Sequence, residues 1–579
     1  MTATASTAST ATPNSDLLWA LIALALATAA PTLIAYSQTP SSTLYNQLAA
    51  IFGWGATLLL LSENVRRLRF DATVATLLLL LAAPVVSIFV NGLPFGLALE
   101  TIGLVGSALL VYTCATGLDE RLRALVFRWF CWGLVMAGVL AMAVSLIQVF
   151  KPAWSDGTYI AHSGLPGRAV SNMRQPNHLA SLMVWACVAL AWLGDRRAFG
   201  RTTLITWPLL LFGFVFTIVL SASRTGMWAG IPLLAIWGVI DVRLSRSTRL
   251  VLVSSLLMFF VSWKLMDVWA ASGHAFGAQT RLDQEGAGSD TRLAILANAW
   301  SLVKSNPWTG VGWGEFNLAW TMTPFPTRPV AFFDHTHNIL MQFAVELGLP
   351  LTLLITVLLL WTLVQRLLSV LHSRGEDATL RSAALMMVLA IGVHSLLEYP
   401  LWYAYFLLPA AFAMGVGAMP VEGSEQRSAG TLLSVAGALL LAASIFAAWD
   451  YQRIVVIYAP AAGDAPLTER VREGQRALIF GPLADYAAAT SLPGNTRALE
   501  AAQRTGHNLI DVRLMMDWAE ELHEHGDDDR ARYVAARVRE FRNPQAATWF
   551  AGCDKEGAER PFQCDPPKRE YNWRELRQP

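Results

Sequence analysis

Apolar runs of about 18 to 25 residues recur along most of the chain, and no other feature restricts its fold so strongly. A run of that length crosses the hydrocarbon core of a bilayer as a single helix. The runs fall at roughly 17–36, 43–61, 72–90, 95–117, 124–150, 177–194, 202–221, 225–241, 249–270, 338–365, 381–398, 401–419 and 429–449, about thirteen in all. Of the 579 residues, 54% are hydrophobic and 15% charged, and it is the clustering of the apolar ones that sets the expectation. The fold class expected is an all-α polytopic membrane protein of about 13 transmembrane helices.

The loops give the orientation. Arg66, Arg67 and Arg69 follow the second run, and Arg121, Arg123 and Arg128 the fourth. Arg196, Arg197 and Arg201 follow the sixth, Arg243, Arg246 and Arg249 the eighth, and Arg366 and Arg374 the tenth. The alternate loops nearly lack Lys and Arg. Basic loops stay in the cytoplasm, so the N-terminus is expected inside and the segment after the last run outside. The Ser/Thr/Ala-rich residues 1–16 read as a disordered cytoplasmic tail. No basic segment precedes the first run, which is too long for a secretory h-region, so it reads as a span and not as a cleaved signal.

Residues 17–449 form the expected membrane domain, with a long outer loop at 271–337. From 450 to 579 charges become frequent and the runs stop. TERVREGQRALIF, TRALEAAQRT, DVRLMMDWAEELHEHG and DDRARYVAARVREF read as short amphipathic helices. The pair around Gly526 reads as a tetratricopeptide-like hairpin, although no clean 34-residue period is present. Cys553 and Cys564 in this outer tail are expected to pair. Cys114, Cys131 and Cys187 lie in spans and read as small apolar residues.

Several function classes fall away. Lys plus Arg total 43 and Asp plus Glu 42, so charge favours neither nucleic acid nor an acidic partner. There is no CxxC pair, no GxxxxGK[ST] loop and no GxGxxG in a strand–helix setting. What remains is polar chemistry at one edge of the membrane. The stretch FFDHTHNILMQFAVELGLP sets Asp334, His335 and His337 where the outer loop meets an apolar run, with Asn338 or Asp334 able to cap the helix. Within the same loop, TRLAILANAWSLVKS reads as an interfacial amphipathic helix ending at Pro307 and glycines 310, 312 and 314. The expected outer edge also carries Arg168, Arg174, Gln175, His178, Arg224, Glu398 and Tyr399. Arginine grips a phosphate bidentately, and a histidine beside a carboxylate suits a general base. Together they suggest hydroxyl attack on a carbon that leaves behind a lipid pyrophosphate. Plainer readings exist for each: Arg224 as an interfacial anchor, His178 as a helix cap, Asn177 as the N-cap after a turn at Gln175 and Pro176. His335 and His337 are poorly spaced for a helix-borne zinc site, and no metal is expected.

The segment HNILMQFAVELG resembles the signature of the O-antigen ligase and polymerase (WaaL/Wzy) superfamily, as do SASRTG and NPWTGVGWGEF. RQPNHLASLM, HSLLEYPLWYAYF and the outer tail are similar to one branch, the bacterial protein O-oligosaccharyltransferases of the PglL type. Leu351, three residues after Gly348, departs from the Gly, Thr or Tyr of family ligases and turns the reading away from lipid A ligation. The resemblance implies a multi-pass inner-membrane enzyme with a periplasmic site. It would move a preassembled glycan from undecaprenyl pyrophosphate, a substrate and not a cofactor, to Ser or Thr of a periplasmic protein such as a pilin, with inversion. It implies His337 as base, with Gln175 and a tyrosine, Tyr399 or its competitor Tyr403, also in the catalytic group. Arg224, with Arg168 or Arg174, would hold the pyrophosphate, with His178 and His335 near the substrate. A sugar hydroxyl as acceptor is the alternative. A transporter of the lipid-linked glycan is the rival outside the class, but it would place ionisable residues at mid-membrane.

Overall fold

The computed structural model describes residues 15–65, 67–195, 203–279, 290–419, 427–492, 497–553 and 560–577. Arg66, Arg196, Arg197 and Arg201 lie outside them, as does the tail up to residue 14. Ser15 and Asp16, read as part of that tail, already belong to the first helix.

Each of the thirteen apolar runs contains a helix. They are α1 (Ser15–Ala29), α2 (Leu44–Leu61), α3 (Ala72–Asn91), α4 (Phe95–Gly117), α5 (Glu120–Phe150), α6 (Pro176–Asp195), α7 (Thr203–Ser221), α8 (Ile231–Ile240) with a π-helical turn before it at Gly226–Gly230, and α9 (Arg246–Ala271). The outer loop contributes α10 (Asp290–Ser305) and α11 (Phe316–Met322). Then come α12 (Ile339–His372), α13 (Gly375–Ser395), α14 (Ala404–Val416) and α15 (Arg427–Tyr458). Ten of these helices are long and apolar enough to cross a membrane, and α7, α14 and the 226–240 segment are apolar but shorter. Among the described residues there is no strand. The chain is an all-helical, multi-pass membrane protein. After α15 follow α16 (Leu467–Gly474), α17 (Gly481–Ser491), α18 (Ala498–Thr505), α19 (Val512–Glu524) and α20 (Asp528–Phe541). The last apolar helix runs on past Asp450 to Tyr458, beyond the change in composition. Cys553 and Cys564 form the expected disulfide.

Burial orders the bundle. Within α6, 89% of the apolar window is buried, against 22% in α15, so α6 is the central helix and α15 faces lipid. Trp185 of α6 donates to the Met387 carbonyl of α13 at 2.8 Å, and Ser181 meets His394 Nδ1 at 2.7 Å. Small residues bring α2 and α15 together: a Cβ on Gly437 would lie 2.7 Å from the Gly55 carbonyl oxygen.

Contacts between loops sort them into two ends. At the basic end, Arg69 donates to the Met419 carbonyl, while Arg123 and Arg381 share that of Ala418. Arg123 and Arg366, read from sequence as loop charges, lie inside α5 and α12 and are buried. Arg366 reaches Asp71, which also caps α3. At the opposite end, Arg174 donates to Ser42 O, Asn172 to Leu33 O and Arg168 to Ser221 O.

One helix, the one that begins beside the site, is broken. In α12, Gly348 is non-helical with φ +78°, and Pro350 follows with no N–H to give. Broken helix is tolerated at membrane depth only where protein satisfies the freed groups. The segment 307–314 does so: Val311 N donates to Val345 O, Gly312 N to Glu346 O and Leu349 N to Pro307 O, at 2.8, 3.1 and 2.8 Å. The approach requires glycine. Gly310 has φ +68°, and a Cβ there would lie 2.4 Å from the Glu346 carbonyl carbon. Gly310→Ala is therefore expected to lower the apparent melting temperature of the purified protein, by the strain of a forbidden backbone region, about 1–3 kcal/mol, plus the clash. Gly392→Ala, inside α13 with nothing within 4 Å of its Cβ, is the control and should be neutral or stabilising. Equal melting of the two variants would show that the loop does not brace the break.

Candidate active site

The site forms where the start of α12, the entry to α6 and the loop after α13 meet. Asn338 is the N-cap of α12: its side chain accepts from Met341 N at 3.0 Å and its amide donates to Leu396 O at 3.0 Å. Of the two capping residues read from sequence, Asn338 is the one used. The cap leaves His337 just outside the helix with φ +58°, a left-handed conformation a histidine rarely adopts. The His335 carbonyl accepts from His337 Nδ1 at 3.1 Å. That places the neutral ring's proton on Nδ1 and makes Nε2 the free base atom.

His337 Nε2 faces Glu398 Oε2 at 3.4 Å. Glu398 lies on the 396–403 loop, buried. Its other oxygen accepts from Asn177 Nδ2 at 2.9 Å and pairs with the Arg292 guanidinium of α10. Asn177 in turn accepts from Ser223 Oγ at 2.6 Å, and Arg224 is the next residue along. One carboxylate thus joins four segments far apart in the chain. The His337 side chain keeps 16% of its surface exposed and Arg292 keeps 37%, so both remain within reach of a substrate.

Aromatic rings form one wall. Tyr399 stacks on His335 at 4.4 Å and stands edge-on to His337 at 5.1 Å. Burial, with Asp334 close by, pushes the Tyr399 phenol well up, and the same causes push Tyr403 up to about 12. Both therefore keep their protons at neutral pH and serve as donors. Burial lowers the pKa of His337 from the ordinary 6.5; Glu398 acts against that shift and Arg292 with it. His335 has its Nδ1 3.1 Å from Asp334 Oδ1.

The structure brings together Asp334, His335, His337, Glu398, Tyr399 and Tyr403 among the residues singled out from sequence. Others sit elsewhere. Gln175 turns its side-chain oxygen onto Asn177 N and His178 N and so caps α6, the role read for Asn177. His178 is buried in the bundle with Nδ1 3.0 Å from Tyr405 OH and its ring against Tyr403. Arg174 donates to the 35–42 loop through Ala35 O, Ser37 Oγ and Ser42 O. Arg168 Nε donates to Ser221 O at 2.8 Å. The sequence reading set Glu398 at this edge without a role and passed over Arg292 and Asn177 as ligands of one carboxylate. The one available signal was a charged residue at the edge of an apolar or amphipathic segment, as in LLEYP and DTRLAIL.

Comparisons with known proteins fall on these same segments. Residues 209–356 match the family model described as O-Antigen ligase, and residues 169–193 match Protein glycosylation ligase. Residues 382–551 match Virulence factor membrane-bound polymerase, C-terminal. Asn177, Arg292, His337 and Glu398 all lie within one or another of the three. Among curated proteins, a General O-oligosaccharyltransferase of Acinetobacter baylyi is 28% identical over 357 residues, 58% of this chain and 60% of that protein. A ComP-specific O-oligosaccharyltransferase of the same organism is 22% identical over 379 residues, 65% of this chain and 66% of the relative. The matches thus span less than two thirds of either relative. The chain resembles the protein glycosylation ligases of the O-antigen ligase superfamily.

Asn177 supplies a direct check of the geometry. Asn177→Ala leaves buried Glu398 and Ser223 each one partner short, and such a loss costs about 1–3 kcal/mol. Asn177→Asp should cost more, because a second carboxylate would face Glu398. Thermal unfolding in detergent measures both, and an unchanged midpoint in both variants would mean that the amide does not carry this link.

Proposed function

We propose that this chain transfers a preassembled glycan from undecaprenyl pyrophosphate to a Ser or Thr hydroxyl of a protein. The observation that carries the reading is the His337–Glu398–Arg292 arrangement, set on segments that match ligase families. In this reading α1–α9 and α12–α15 are thirteen spans of the bacterial inner membrane. The basic end is cytoplasmic, and the site and the tetratricopeptide-like helices α16–α20 are periplasmic.

The chemistry follows from the geometry. The acceptor O–H gives its proton to His337 Nε2 as its oxygen bonds to the anomeric carbon. The bond from that carbon to the pyrophosphate breaks, and the leaving group takes the electron pair. Attack from the opposite side inverts the anomeric centre. Glu398 stabilises the imidazolium that forms, as a carboxylate does for a histidine base. Arg292, half-exposed and held by Glu398, meets the pyrophosphate together with Arg224, because a guanidinium fork matches two phosphate oxygens. Tyr399 and Tyr403 offer phenol protons to the same oxygens or to the glycan. Gln175, Arg168 and Arg174 act by holding the loops, and His178 by packing beneath Tyr403. The pyrophosphate is already a good leaving group, so the reading calls for no metal and no second carboxylic acid. The polymerase match over 382–551 favours one alternative, a sugar hydroxyl as acceptor. Purified protein offered a protein acceptor and a glycan acceptor side by side decides between them.

Two results test the site. A general base contributes about 10²- to 10⁴-fold, so His337→Ala should lose at least the lower figure while still binding lipid pyrophosphate; near-parental transfer overturns the assignment. The second test is the pH profile. A base must be unprotonated, and His337 is depressed below 6.5, so activity should hold through that pH and fall only at lower pH. Glu398→Gln removes the group that favours the protonated ring, so the acid limb should move to lower pH. Arg292→Gln removes a cation that disfavours it, so the limb should move up. Limbs that stay in place in both variants would show that His337 is not the titrating group.

A further inference from the structure

Away from His337, a groove of about 530 Å³ opens between α2, α4 and α15 and continues up to the outer helices. Its walls are mainly apolar, and half of the lining residues are leucine, isoleucine or phenylalanine. Among the described residues that line it there is one carboxylate, Glu100, and no lysine or arginine. Glu100 is the sixth residue of α4, about 8 Å along the helix from its outer end at 1.5 Å per residue. It forms no hydrogen bond and no ion pair among the described residues. An ionisable group in a membrane helix is expensive to keep, and it usually has a partner. Here the partner is not within the described chain.

The groove is poorly suited to the donor's head, since a pyrophosphate seeks cations and this lining offers only a negative charge. It also extends past the apolar helices. Along α15 it runs from Leu440 to Tyr451, about 16 Å or three helical turns. Its top is formed by residues 478–483 and Asn508 of the outer helices. An occupant therefore lies in the membrane below and rises against the outer helices above. Trp402 closes the end nearest the site, and its ring packs edge-on against His335 at 4.9 Å. Trp402 and His335 lie between the groove and the base.

We propose that this groove docks the apolar membrane helix of an anchored acceptor protein, and that Glu100 pairs with a cation on that helix. The mode is helix-in-groove recognition, with the charge fixing depth and so bringing the segment that follows the helix to Trp402 and His337. The proposal rests on the protein-acceptor reading above.

Crosslinking tests it without depending on transfer. A photoreactive residue replaces Ser444 in the full chain, reconstituted in phosphatidylcholine vesicles. The probe is a biotinylated Leu/Ala transmembrane peptide with one lysine near its outer end, compared with the same peptide carrying glutamine there. The lysine peptide should crosslink at least about tenfold more, an energy difference of about 1.4 kcal/mol. Glu100→Gln should abolish the preference, and Glu100→Lys should transfer it to a peptide with glutamate in that position. Equal crosslinking of lysine and glutamine peptides overturns the proposal, as does mass-spectrometric recovery of a phospholipid or polyprenyl adduct in place of peptide. If the charge preference holds while transfer to protein hydroxyls fails, the groove stands and the protein-acceptor chemistry falls.

Discussion

The carboxylate of Glu398 is the interaction on which the outer half of this molecule depends. A buried carboxylate is costly unless it is paired and hydrogen-bonded. Glu398 meets that requirement with groups from three distant places: the Asn177 amide at the start of α6, the Arg292 guanidinium on α10 and the His337 ring before α12. None of the three is close to Glu398 in sequence. Their meeting fixes the relative height of the entry to α6, the outer-loop helix and the 396–403 loop. It also leaves part of the His337 ring and part of Arg292 exposed, where the proposed reading needs a base and an anion grip.

Backbone strain gathers at the same end. Five non-glycine residues have positive φ among those described, and four of them, Ser171, Arg174, Ala222 and His337, lie in the loops of this end. Such conformations cost of order 1–3 kcal/mol each and persist only when the surroundings over-determine them. The surroundings here are specific. Gln148 accepts from Ser171 N at 2.8 Å, Arg174 is held by the 35–42 loop, and Asn338 caps the helix after His337. The brace across the α12 break adds to this from below. A side chain fixed by several independent contacts can hold its geometry while substrate binds.

How much of this was legible in the sequence follows from the range of the interactions. Spans were legible because membrane burial acts on runs of consecutive residues. Asn338 as a cap and Cys553 with Cys564 were legible for the same reason, since both depend on near neighbours. His337 was visible through its His-Asn context. Asn177 reads as the cap of α6, but Gln175 takes that place because either can cap the helix, and what decides is Glu398, 221 positions away, claiming the asparagine amide. His178 looked like an edge residue, but the helix that carries it is the most buried in the bundle. The break in α12 was hidden inside an apolar run, where Gly348 and Pro350 interrupt the helix without interrupting hydropathy. Arg123 and Arg366 counted as loop charges because hydropathy ends a span at the first arginine, whereas the helices continue and bury them.

Three carboxylates of the bundle show what separates support from function. Asp71 is saturated: one oxygen caps α3 through Thr73 N and Val74 N, and the other receives Tyr112, Arg69 and Arg366. Nothing about it can change without loss of structure, and it holds the basic end closed. Glu398 is satisfied on Oε1, but on Oε2 it meets a ring that can gain or lose a proton. Its environment is complete in one protonation state and competent in the other, which is what general-base chemistry requires. Glu100 has no partner among the described residues, in a wall of apolar side chains. In the proposed reading the same side chain type serves as a lock, a reaction centre and an open socket, and the number of partners each has among the described residues distinguishes them.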